Sequence, residues 1–89
     1  MPERVVTVVP EDGLHARPAS KFVEAAGEAD AEITVGRVDG DQVNAVSMVS
    51  VTRLDVEPGE EVRLIAEGDG AEAALDELER ILTTPEDEL

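Results

Sequence analysis

The chain has 89 residues, no cysteine, and 22 acidic against seven basic residues, a formal net charge of −15 at neutral pH. A chain this short holds one two-layered domain without disulfides, and a surface this negative repels nucleic-acid backbones and anionic membranes. Apolar residues make up 42%, chiefly 13 Val, 11 Ala and seven Leu; that suffices for a core, but Phe22 as the only aromatic argues against a binder that stacks bases.

Arg4 to Val9 is β-branched, with Val6 and Val8 alternating, and reads as a strand closed by the turn residues Pro10-Glu11-Asp12-Gly13. From Pro18 the period changes. Ala19, Phe22, Val23 and Ala26 stand at i, i+3, i+4 and i+7, one face of a helix that Gly27 is expected to end. Ile33 and Val35 alternate with Glu32 and Thr34 as a second strand, and Asp39-Gly40 predicts a tight primed hairpin turn into a return strand over Gln42 to Ala45. Ser47 is placed to N-cap a short helix through about Leu54, with Val51 and Leu54 facing inward.

After the turn Glu57-Pro58-Gly59-Glu60, Val62, Leu64 and Ala66 alternate with Glu61, Arg63, Ile65 and Glu67 as a fourth strand. Asp69-Gly70 precedes a helix striped by Ala71, Ala74, Leu75, Leu78, Ile81 and Leu82, and the chain is expected to fray from about residue 84 to 89. The order β-α-β-β-α-β-α, with one apolar face per strand and one apolar stripe per helix, predicts a single α+β domain over residues 1–89, a sheet covered on one side by helices.

No apolar run approaches the ~20 residues needed to cross a bilayer, and Met1-Pro2-Glu3-Arg4 does not open a signal peptide, so a cytoplasmic location is expected. Acidic residues are spread along the whole chain and Lys21 is the only lysine. That pattern reads as adaptation to a salt-rich cytoplasm, where counterions screen the self-repulsion. No carboxylates have metal-ligand spacing, so neither a metal nor a cofactor is expected.

Chemistry concentrates in Gly13-Leu14-His15-Ala16-Arg17-Pro18-Ala19-Ser20. Pro18 suits a first helical turn, which puts His15, the only histidine, near the N-cap beside the free amides of Ala16 and Arg17. A helix N-terminus suits a neutral, nucleophilic ring, and better still a ring to which an anion is attached, with Arg17 as a permanent charge beside it. From local physics alone, a surface histidine serving as an ordinary cap is an equally good reading.

Gly-Leu-His-Ala-Arg-Pro-Ala resembles the active-site signature of the HPr family, the histidine-containing phosphocarriers of the sugar phosphotransferase system. The likeness extends over the length, the element order, Phe22-Val23, Asp39-Gly40, Ser47 and the closing helix. It implies an open-faced β-sandwich, four antiparallel strands with three helices on one face. It also implies a monomeric carrier in which His15 takes a phosphoryl group on Nδ1 from enzyme I and passes it to enzyme IIA components, turning over only with those partners. Arg17 and the Ala16 amide would stabilise the phosphoryl oxygens. Met48, Val49, Thr52 and Ser20 match positions where partners dock, and Ser47 matches a regulatory phosphorylation site.

Around Ser47 the pattern departs. The family usually has a polar residue before this serine and glycine three after it, where this chain has Val46 and Ser50, so Ser47 reads as a cap first. Asp55 stands where glycine is common, without a functional consequence arguable from sequence. Two alternatives remain open: an HPr-shaped regulatory adaptor, or a carrier for a dihydroxyacetone-kinase or nitrogen-regulatory phosphorelay. The presence of both His15 and Arg17 argues against the adaptor.

Overall fold

In the computed structural model, which describes residues 1–89, the order is β1 (Glu3–Thr7), α1 (Ala16–Glu28), β2 (Glu32–Arg37), β3 (Val43–Asn44), α2 (Met48–Arg53), β4 (Glu61–Glu67), α3 (Ala71–Leu82) and a final 3-10 turn (Glu86–Glu88). All pairings are antiparallel in one sheet ordered β1-β4-β2-β3. Register puts Val6 opposite Val62, Ile33 opposite Ala66 and Val35 opposite Leu64, so the apolar sets of three strands share one face. Phe22 and Ala26 of α1 and Leu75, Leu78 and Leu82 of α3 close over that face, with Val51 of α2 at the end of the same core. This is the sheet covered on one side by helices that the pattern predicts, and the open-faced α+β sandwich that the resemblance implies.

Several boundaries differ from expectation. Regular pairing in β1 stops at Thr7, although Val8 continues the contact by donating to Glu60 O and accepting from Gly59 N–H, at 2.9 and 2.8 Å. α1 runs one residue past Gly27 to Glu28, within a turn of the expected end, and Ala29 just beyond it still packs on the core. The β2–β3 connection spans residues 38–42 and Gly40 keeps a negative φ, so there is no two-residue primed turn, and β3 shrinks to two residues. The segment expected to fray instead folds back in the 3-10 turn, where the Glu86 carboxylate accepts the Asp12 N–H at 2.9 Å. The Asp12 carboxylate beside it, more than any other group, pushes the Glu86 carboxyl above its ordinary range.

One arginine joins the sheet edge to α3. Arg4 on β1 reaches Glu72 and Glu79 at 2.9 Å and also bonds Asp76 between them, three carboxylates on a single ridge of the helix. These hydrogen bonds, Asp76's foremost, hold the guanidinium in its charged form. Removing the cation leaves the three carboxylates facing one another. Arg4→Gln is therefore expected to lower the melting temperature in low salt, and molar KCl to recover most of the loss. Equal melting curves for the variant and the wild type in low salt would contradict this role.

Candidate functional site

Two loops meet where α1 begins. Leu14, fully buried, donates its N–H to Val56 O at 3.0 Å, which joins the loop before α1 to the loop after α2. Gly13 makes the approach possible. Its φ is +65°, and a Cβ there would lie 2.2 Å from Val56 O, so any side chain would force the loops apart. His15 follows at once, extended (φ −134°, ψ 172°), with the helix opening at Ala16 in the left-handed region (φ +50°).

The His15 side chain makes no capping hydrogen bond, which removes the ordinary-cap reading. The first helical bond runs from Ala19 N–H to His15 O, so the amides of Ala16 and Arg17 head the helix as its free donors. Backbone held in an unusual conformation at such a point stores strain where chemistry can use it. The ring is about one-third exposed and sends Nε2 to within 3.3 Å of Asp55 Oδ1, which leaves Nδ1 as the nitrogen without a carboxylate partner.

Arg17 is exposed, beside a shallow recess shared with Glu11, Glu86 and Asp87. Arg4, Arg37, Arg63 and Arg80 are engaged in ion pairs; Arg17, Lys21 and Arg53 are not. Arg17 thus carries its charge at the start of a helix without a direct ion pair, next to the carboxylates of that recess.

The other anticipated residues lie where the spacing puts them. Ser47 caps α2, its oxygen accepting from Ser50 N–H at 3.3 Å while its hydroxyl pairs with Ser50 Oγ at 3.0 Å. Met48 and Val49 are exposed, 38% and 62%, beside an exposed Val46, so the exposed reading of Met48 holds and the core reading does not. Thr52 turns its hydroxyl back to Met48 O and Val49 O, and Ser20 faces solvent on α1.

Sequence reasoning missed Asp55 and Glu57. With His15 they present three ligand atoms within 4.8 Å of one another, a spacing one divalent cation could span. Residues so far apart in the chain leave no spacing signal. The available clue was Gly13, a glycine two residues before His15, which marks a place where a second backbone comes close.

A family model described as "PTS HPr component phosphorylation site" matches residues 2–84. A phosphocarrier protein HPr of Haloferax volcanii is 67% identical over 94% of this chain and 96% of its own. One from Streptomyces coelicolor is 45% identical over 100% and 96%. The crystal structure of an HPr from Thermoanaerobacter tengcongensis superposes with a TM-score of 0.87 at 38% identity, covering 92% of this chain and 91% of that one. Proteins named NPr and Crh, and an HPr dimer, are among the further matches.

The close approach at Gly13 carries a stability prediction. Gly13→Ala must both overpack and hold a left-handed alanine, at a cost on the order of 2–4 kcal/mol. A clear drop in melting temperature is expected, and a melting curve indistinguishable from wild type would show that the loops are not held this closely.

Proposed function

This chain belongs to the HPr family of phosphotransferase-system phosphocarriers, and from that premise we propose that His15 accepts a phosphoryl group on Nδ1 from phosphorylated enzyme I and passes it to enzyme IIA proteins. The observation that carries the reading is the arrangement at the head of α1: an uncapped histidine, two free amides, and an arginine that takes no ion pair in an otherwise acidic molecule.

The chemistry follows from these groups. The Nδ1 lone pair attacks phosphorus, and the phosphoramidate so formed is labile enough to be given away again. The Ala16 and Arg17 amides and the Arg17 guanidinium offer donors to the phosphoryl oxygens, stabilising charge during both acceptance and donation. Met48 and Val49, with Thr52 bonded back to their carbonyls, and Ser20 on α1 supply the docking positions for both partners, and the carrier acts as a cytoplasmic monomer so that the same face can meet each in turn. Ser47 serves as the α2 cap. The existence of relatives named NPr and Crh marks the neighbouring alternatives, a different phosphorelay or a regulatory adaptor; the unpaired Arg17 favours a carrier over an adaptor.

Labelled phosphoenolpyruvate with enzyme I should give an acid-labile, base-stable adduct that is absent in His15→Ala. Arg17→Ala should retain its circular dichroism spectrum and slow transfer on the order of a hundredfold. An adduct surviving the first substitution, or unchanged rates in the second, would overturn the assignment.

The acidic surface belongs to the same reading as an adaptation to high salt, in keeping with the relative from Haloferax volcanii. The Debye length falls from ~30 Å at 0.01 M salt to ~3 Å at 1 M, removing most of the carboxylate repulsion. The melting temperature is therefore expected to climb continuously with KCl into the molar range. A flat response from 0.1 to about 2 M, where the Debye length has already become short, would refute the salt adaptation and leave the carrier assignment standing.

A further inference from the structure

Asp55 is an unusual residue for its position. Its φ is +54°, a conformation that glycine adopts freely and that Asp is among the few other residues to tolerate. The backbone around it is fixed from several directions. Asp55 N–H donates to Thr52 O at 3.1 Å, and Arg37 donates to Asp55 O at 2.7 Å and to Leu54 O at 3.1 Å. Arg37 is itself held by both oxygens of Glu60, at 2.9 and 3.2 Å, and these bonds keep the Glu60 carboxyl below its ordinary range. The next residue, Val56, is buried and accepts the Leu14 N–H.

The outcome is a carboxylate whose side chain is 78% exposed but whose backbone is anchored on both sides, with Oδ1 3.3 Å from His15 Nε2. Glu57 lies near the ring but makes no direct pair with it. A pair this exposed adds little to stability, so its effect falls on the orientation and charge of the ring.

We infer that Asp55 is the positioning residue of the carrier histidine: its carboxylate accepts the Nε2–H of His15, reserves the Nδ1 lone pair for phosphorus, and offsets the positive charge that the ring acquires on phosphorylation. The inference rests on His15 being the phosphoryl acceptor. In the step, the Nδ1 lone pair attacks the phosphorus of the phosphorylated donor, and the donor's own bond to that phosphorus breaks with its electron pair remaining on the donor. The proton on Nε2 stays in place, so the phosphorylated His15 ring is a cation facing Asp55. Onward transfer reverses the balance: the His15 N–P bond breaks, its electron pair returns to Nδ1, and the ring is neutral again. This is the role a buried carboxylate plays toward a catalytic imidazole, performed here at the surface.

Asp55→Gly and Asp55→Asn test it, because both residues accept the left-handed backbone and leave the fold in place. Gly removes the acceptor. Asn can turn its amide to donate to Nε2, which favours the tautomer with the proton on Nδ1. Expected are melting temperatures close to wild type in both variants, with phosphoryl acceptance from enzyme I slowed by about tenfold or more. In ¹⁵N spectra of the neutral ring, the wild type should carry its proton on Nε2, and the Asn variant should show a larger fraction on Nδ1. Wild-type rates in both variants, or a tautomer ratio that neither changes, would overturn the inference. A wild-type chain that takes no phosphoryl group on His15 would overturn the reading beneath it, and that failure shows before any substitution is made.

Discussion

The geometry of the site depends on one close approach of backbones, Gly13-Leu14 against Val56. A left-handed glycine without a Cβ lets the Leu14 N–H reach Val56 O, and the buried side chains of Leu14 and Val56 hold the approach from within the core. His15 and Asp55 each adjoin one of these anchored residues. The pair is thus positioned by main-chain contacts backed by hydrophobic burial, while both side chains remain at the surface.

Charge is distributed in two ways over the molecule. Arg4 and Arg80 hold carboxylates of α3, and Arg37 holds Glu60 together with the carbonyls that fix the Asp55 loop. Arg17, in the first turn of α1, takes part in none of these ion pairs and lies by Glu11, Glu86 and Asp87. In a molecule so negative, the proposed phosphoryl site rests on the free amides at the head of α1 and on a guanidinium that takes no ion pair.

Much of the fold was legible because it rests on period alone. The alternation of Val62, Leu64 and Ala66 and the stripe from Ala71 to Leu82 each admit one buried face, and the structure buries both. Boundaries were less legible. Asp39-Gly40 reads as a tight turn, but the connection is wider and β3 keeps only two residues. At the site, the Ser47 cap and the placement of His15 and Arg17 at a helix start could be read locally, whereas the phosphoryl role expected of His15 and Arg17 came only with the family resemblance. Asp55 could not be read locally. Its meeting with His15 is made by tertiary approach between distant loops, and a lone aspartate after a helix carries no signal of that kind. The folding of the last residues near Arg17 was hidden for the same reason.

The central claim is that the clamped loops present His15 with Nε2 occupied and Nδ1 free. The most direct measurement is the ³¹P–¹⁵N coupling pattern of the ¹⁵N-labelled chain after phosphorylation by enzyme I. One-bond coupling of phosphorus to His15 Nδ1 is the result this account predicts. Phosphorus bonded to Nε2, or to any residue other than His15, would contradict it.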